Sequence, residues 1–428
     1  MGKLTVNADR NGFLKDGKPF FYLADTVWSA FTNITMDEWK YYLKKRKEQG
    51  FNVLQINTMP QWDRCMSDTG IYPFETKDGQ KFDFTKPVMD YYEHARRMCE
   101  EAVREGFTPA LVVLWLNFVP DTWGSKITDV NVMPKELVPS YTERIVEAFD
   151  EFDPIYFVSG DTDFETAEAV SYYRSALDVL CEKSPDSLKT CHIRRGYDVI
   201  PDELARDLDF YVFQSGHNRD AQDMAYLLPQ KLKEKYDQKP LVNAEPCYEQ
   251  MGYSRNLYGR FTPEDIRKAA WHSILSGAGA GITYGAHGIW NWMKTGSPAN
   301  PMLGEGFDTA FTCQQALEFP GAWDYGFIRD YMEQKNITEL VPAQALLLNK
   351  TPEIRAAHTP DKKTYLIYIP RVTKIILDTE LKNASVRVYD LDERRIARSG
   401  LSVQDGRTTV EMHPFQKDVL MEITVMDE

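Results

Sequence analysis

The sequence predicts a (β/α)8 TIM barrel followed by a small C-terminal antiparallel β-sandwich. Three observations carry that expectation. Short apolar, strand-like runs alternate with helical segments eight times from Phe20 onward, which implies right-handed crossovers and a parallel sheet. Eight such units over about 300 residues is the size of a barrel. The first run ends in Asp25-Thr-Val-Trp28, which is not the glycine-rich phosphate turn of a doubly wound open sheet, the main rival. From about Val341 the helical period disappears and short strands with turn signals take over. The chain therefore divides into 1–340 and 341–428.

In chain order, residues 3–18 read as an edge ribbon with turns at Asn11-Gly12 and Asp16-Gly17. The first barrel strand is 20–26. Thr35-Met-Asp-Glu38 has the form of a capping box, opening a helix that Gly50 stops. A strand at 53–57 leads into a long aromatic loop holding Trp62, Tyr72, Phe74, Phe82 and Phe84. Helix 87–105, strand 108–115, helix 140–149, strand 155–159 and helix 164–183 follow. Then come strand 189–193, a short helix at 201–206, strand 210–214 and helix 221–236. Strand 241–244, helix 263–276, strand 279–284 and a helix at 310–319 complete the barrel. Gly277-Ala-Gly-Ala-Gly281 precedes a strand and reads as close packing. Sandwich strands are expected at 345–348, 364–369, 374–377, 385–389, 408–412 and 418–425.

The 428 residues carry a formal net charge of −14, which argues against nucleic acid or an anionic membrane as the main partner. No run approaches the ~20 apolar residues of a membrane span. The start, Met1-Gly-Lys-Leu-Thr-Val-Asn-Ala-Asp, has no apolar signal core, so a cytoplasmic location is expected. Cys65, Cys99, Cys181, Cys191, Cys247 and Cys313 form no CxxC pair and read as free thiols. Without H-x-H or HExxH spacing, neither a metal nor another cofactor is expected. A homo-oligomer is compatible with the sequence.

Chemistry is expected where barrel strands end. Pro240-Leu-Val-Asn-Ala-Glu-Pro246 is a buried strand closed by an acid, Glu245, with Pro246 barring continuation. Ile155-Tyr-Phe-Val-Ser-Gly-Asp161 ends similarly. Asp161 and Glu245 are the candidate catalytic pair. The other strand ends supply Asp25, Trp28, Asn57, Trp62, Trp115, His192, Gln214, His217, Tyr284, His287 and Trp290 as candidate substrate contacts. Asp63, Asn117, Arg194 and Arg195 lie nearby. Carboxylates and amides for hydroxyls, with indoles for the C–H face of a ring, suit a sugar. Each also has a plainer reading: Asp25 as a rim salt bridge, the histidines as satisfied rim residues, the tryptophans as filler, and Asp161 as a helix N-cap.

Asp16-Gly-Lys-Pro-Phe-Phe-Tyr-Leu-Ala-Asp-Thr-Val-Trp28, Gln49-Gly-Phe-Asn-Val-Leu-Gln55, Val158-Ser-Gly-Asp161, Ala244-Glu245-Pro246 and Ile282-Thr-Tyr-Gly-Ala-His-Gly-Ile-Trp290 resemble motifs of the apiosidase-like glycoside hydrolases. That resemblance covers most of the chain. It implies a (β/α)8 catalytic domain and a C-terminal β-sandwich, with a retaining-type pair at the ends of the fourth and seventh strands. By that match Asp161 is the general acid/base and Glu245 the nucleophile. Related barrel glycosidases mostly use glutamate at the fourth strand, one methylene longer. A carboxyl separation of about 5–5.5 Å implies retention and about 6.5–9.5 Å inversion. The expected function is removal of a terminal sugar from a plant-type glycan or glycoside. Alternatives are a non-catalytic carbohydrate-binding barrel and an adhesin led by the sandwich.

Overall fold

The computed structural model describes residues 2–62, 66–254, 257–297 and 308–426. Eight parallel strands form the barrel: β1 (Tyr22–Thr26), β2 (Val53–Asn57), β3 (Thr108–Trp115), β4 (Ile155–Gly160), β5 (Lys189–Thr190), β6 (Tyr211–Phe213), β7 (Leu241–Asn243) and β8 (Gly281–Tyr284). Their order is β5-β4-β3-β2-β1-β8-β7-β6. β8 pairs with β1 from Gly281↔Tyr22 to Tyr284↔Asp25. No ladder joins β5 to β6, yet Asp209 N–H donates to Lys189 O at 2.9 Å and Gly196 N–H to Gln214 O at 3.1 Å. The barrel is therefore nearly closed. β5 is shorter than the expected 189–193, because only β4 offers it a laddered edge. The chain nonetheless runs on beside β4 through a Thr162↔Ile193 bridge.

The helical layer consists of α1 (Met36–Glu48), α2 (Met89–Arg104), α3 (Val138–Phe149), α4 (Ala167–Lys183), α5 (Asp202–Ala205), α6 (Met224–Lys235), α7 (Pro263–Ile274) and α8 (Gly321–Gln334). The Thr35/Glu38 capping box forms: Thr35 N–H donates to Glu38 Oε2 at 2.9 Å and Glu38 N–H to Thr35 Oγ1 at 3.4 Å. The eighth helix differs from expectation. Only Cys313–Ala316 is helical within 310–319, and α8 begins at Gly321. Pro320 is the reason: it disfavours helix at the residue before it and is tolerated only where the next helix starts. The aromatic loop after β2 contains an unexpected hairpin, Phe74–Thr76 with Phe82–Pro87.

Strand parity decides what each side chain meets. Tyr22 points into the barrel, where its hydroxyl and that of Thr283 donate to Gln55 Oε1 at 3.4 and 2.6 Å. Gln55 Nε2 donates to Ala244 O at 3.2 Å. Opposite parity turns Asp25 and Tyr284 outward toward the helices. Gly281 has no room for a side chain, since a Cβ would lie 2.3 Å from Tyr22 O, so the glycine-rich run does serve close packing. The N-terminal ribbon is a three-stranded sheet (Leu4–Val6, Phe13–Lys15, Lys18–Phe20). Its Phe13 ring packs 5.1 Å from Phe210 and 6.2 Å from Tyr22, plugging the end where the strands begin.

The C-terminal part is a sandwich of a six-stranded and a three-stranded antiparallel sheet. The expected strand at 345–348 is not formed; a 3-10 turn spans Gln344–Leu346. Arg355–His358 forms a strand outside the expected set, because Arg-Ala-Ala-His lacks the β-branched residues that mark strands. The sandwich docks on α7 and α8. Arg267 of α7 makes two bonds to Asp418 at 2.9 and 2.7 Å and one to Asp324 of α8 at 2.8 Å. Lys335, at the C-cap of α8, reaches Glu422 at 2.9 Å. Among the described residues, no helix is long and apolar enough to cross a membrane.

Candidate active site

Glu245 follows β7 directly. Its backbone is anchored on both sides: its N–H donates to Asn243 Oδ1 at 3.3 Å and its carbonyl accepts from Gly216 N–H at 3.0 Å. The side chain, 9% exposed, lies between two imidazoles. His217 Nε2 is 2.8 Å from Oε1 and His192 Nε2 is 3.1 Å from Oε2. Burial pushes the carboxyl pKa up, but the close approach of His192 and His217 outweighs it and holds Glu245 at about 2. Glu245 is therefore ionised at neutral pH.

Asp161 follows β4, in left-handed backbone conformation at φ 52°. Its N–H donates to His192 Nδ1 at 3.0 Å and its carbonyl accepts from Trp123 Nε1 at 2.8 Å. Part of its surface stays open. Burial, then the Glu245 charge, raise its pKa well above the usual carboxylate range, against the pull of Arg194 and Arg195. The two acids are thus pushed in opposite directions, one toward a proton and one away. That is the division of labour an acid and a nucleophile require. The cap reading of Asp161 fails: α4 is capped by Thr166, which accepts from Ala169 N–H at 3.1 Å.

Aromatic rings wall this pair. Trp28 and Trp115 lie 5.2 Å apart, each 5.8 Å from the His192 ring. Gly160 is required here, because a Cβ would fall 2.1 Å from the Trp115 indole. Trp62 meets Trp123 edge-on at 5.3 Å. His287 and Trp290 lie parallel with centroids 6.4 Å apart. Burial and then Arg260 lower the His287 pKa to about 4, so this ring is neutral at pH 7. Asn57 donates to Gln61, and Gln214 continues the inward parity of β6. Among the described residues, Trp115 Nε1, Trp290 Nε1, Asn57 Oδ1, Asn117 Oδ1 and Gln214 Oε1 are buried without a hydrogen-bond partner. Such groups carry an energetic penalty unless a ligand or water satisfies them.

Two expected contacts are placed elsewhere. Asp25, fully buried, accepts from Arg46 Nε at 2.6 Å and Tyr42 OH at 2.7 Å between β1 and α1. Tyr284 donates to Glu249 at 2.6 Å in the same outer layer. Outward parity separates both from the Glu245 side of the barrel wall. Arg194 pairs with Asp163 at 3.2 Å and lies over the Trp123 ring, while Arg195 donates to Asn218. Asp63 and Cys65 lie outside the described residues. Burial pushes the Cys247 thiol well above its ordinary range, which suits a bystander. Tyr248 is a site residue that no sequence motif marks. Its hydroxyl accepts from Trp28 Nε1 at 3.0 Å and its ring lies 4.3 Å from that of His217. Its position three residues after Glu245, in a strand-end loop, was the available signal. Among the described residues, no group of three or more His, Cys, Asp or Glu is arranged to hold a metal ion.

The sequence profile of the Apiosidase-like catalytic domain matches residues 8–339. The chain belongs to the apiosidase-like glycoside hydrolases. It is a glycosidase, and the described pair sits inside the matched region. Solved structures share this fold at low identity. One described as a glycoside hydrolase superposes with TM-score 0.80 at 20% identity, covering 100% of this chain and 98% of that one. A family 5 glycoside hydrolase from Bacteroides vulgatus gives 0.83 at 21%, covering 99% and 93%. A family 5 mannosidase from Rhizomucor miehei gives 0.51 at 13%, covering 78% of this chain and 99% of that one. No curated protein matches the sequence.

Proposed function

We propose that the protein removes a terminal sugar from a plant-type glycan or glycoside, by a retaining mechanism in which Asp161 is the acid/base and Glu245 the nucleophile. The observation that carries this reading is the opposed titration of the two carboxyls, with Glu245 held at about 2 and Asp161 raised. Glu245 attacks the anomeric carbon as the C–O bond breaks, and the Asp161 proton passes to the leaving oxygen. The resulting ester removes the negative charge of Glu245, the largest of the neighbouring charges that raise Asp161. Asp161, left as the carboxylate by the first step, is then stable in that form and accepts a proton from the incoming water. Water attacks the anomeric carbon and releases Glu245 as the carboxylate. The buried, partnerless indole N–H groups and amide oxygens supply donors and acceptors for sugar hydroxyls. All five groups are uncharged, which favours a neutral sugar between the two acids.

The test is a screen of nitrophenyl glycosides and plant oligosaccharides with wild type and Glu245→Gln. Wild type should release one sugar, and the variant, still folded, should lose on the order of 10⁴-fold in kcat. Proton NMR of the first product should show the retained anomer. Wild-type turnover by Glu245→Gln would overturn the assignment. A folded wild type that binds a glycan and cleaves none would favour the binding-protein alternative.

A further inference from the structure

We infer that His192 is a positioning residue that ties the acid to the nucleophile through one imidazole ring. This rests on the roles proposed above for Asp161 and Glu245. His192 is fully buried. Its Nδ1 accepts the Asp161 N–H at 3.0 Å, so the neutral ring must carry its proton on Nε2. That nitrogen is 3.1 Å from Glu245 Oε2. One ring thus spends its lone pair on the backbone of the acid and turns its protonated nitrogen toward the carboxylate of the nucleophile, at ion-pair distance rather than in an aligned hydrogen bond. The contact to Asp161 counts because that residue holds a left-handed φ of 52°, a conformation that costs energy for a non-glycine residue. His192 and Trp123 clamp the peptide groups on either side of it.

The surroundings leave the ring little freedom. Trp28, Trp115 and Phe157 pack around it. Its own carbonyl accepts from Ser159 Oγ at 3.0 Å, and its N–H donates to Ser159 O at 3.2 Å. The charged or titratable groups that face it are Glu245, His217 across that carboxylate, Asp161, and Arg194 and Arg195, whose charge acts on Asp161. A second donor to Glu245 would not need the Asp161 contact, and a plain brace for Asp161 would not need the Glu245 contact. His192 makes both.

Two substitutions separate the two bonds. His192→Asn keeps an acceptor near the Nδ1 position and loses the donor to Glu245. His192→Gln keeps a donor near Nε2 and loses the acceptor for Asp161. The substrates are the dinitrophenyl and phenyl glycosides of the sugar that wild type releases. A dinitrophenolate leaves without a proton, so kcat/KM on that glycoside does not require the acid. His192→Asn should move the acid limb of kcat/KM upward by roughly one pH unit on both glycosides. His192→Gln should lose roughly 10²-fold on the phenyl glycoside and less than about threefold on the dinitrophenyl one. Equal losses on both glycosides in both variants, with an unmoved pH profile, would overturn the inference. Should a variant not fold, ring nitrogen NMR of wild type decides: a protonated Nε2 with a bare Nδ1 is expected, and the reverse tautomer overturns it. Failure of the two roles themselves looks different, because Glu245→Gln would then turn over normally.

Discussion

Asp25 and Glu245 are both carboxylates at the carboxyl end of a barrel strand, and both are withdrawn from water. Asp25 is answered by Arg46, a permanent cation 2.6 Å away, and by the Tyr42 hydroxyl. Glu245 is answered by two imidazoles. A fixed cation suits an acid that only has to stay in place. Imidazoles suit an acid whose charge must disappear and return within a catalytic cycle. A third buried acid, Glu249, has neither in direct contact: among the described residues its hydrogen bonds come from Tyr284 OH at 2.6 Å and Gly321 N–H at 3.2 Å, and Arg46 acts on it only at a distance. Burial, only partly offset by these bonds, raises its pKa to about 7. What faces a buried acid therefore says more about its work than burial or strand-end position does.

The comparison breaks most visibly at Arg46. Arg46→Met leaves Asp25 buried and unpaired, and urea unfolding should report a loss of about 3–5 kcal/mol. Turnover per folded molecule should be unchanged. A matching loss of kcat in the folded fraction would place Asp25 in the catalytic machinery after all.

A smaller effect is expected at Glu249. The folded state holds its proton more tightly than the unfolded chain does. That contribution to stability is complete below about pH 4.5 and is lost as pH rises through about 7. The shift corresponds to at most about 3 kcal/mol. Glu249→Gln keeps an acceptor for Tyr284 and Gly321 and should flatten the stability profile between pH 5 and 8. An unaltered profile would mean that another group carries the dependence.

The smallest change is at Trp115. Trp115→Phe keeps a flat ring beside His192 and removes the partnerless N–H. It should reduce kcat/KM by about 1 kcal/mol, roughly fivefold, without moving either limb of the pH profile. A moved limb would mean that the indole tunes the acids rather than meeting the substrate.

Much of the barrel was legible because its signals are local. The Thr35/Glu38 box, the strand β7 and its terminal acid, and the change of texture near Val341 all depend on neighbours in sequence. The eighth helix was misplaced because Pro320 divides a continuous helical-looking stretch. Arg355–His358 was passed over because tertiary pairing, and not propensity, makes it a strand. At the site, the acids, His192, His217 and the ring-bearing strand ends could be nominated from position alone. Asp25 and Tyr284 could not be excluded, because the sequence marks a strand's end without telling which face of the wall its last residues take.

The sequence by itself determined the alternation of strands and helices, the family motifs and the acids at the strand ends, since these follow from local periodicity and residue chemistry. Only the tertiary structure decided that Glu245 lies between His192 and His217, that Asp25 belongs to Arg46, and that Thr166 relieves Asp161 of capping duty. Those outcomes depend on strand parity and on contacts between residues far apart in the chain, and no local pattern encodes them.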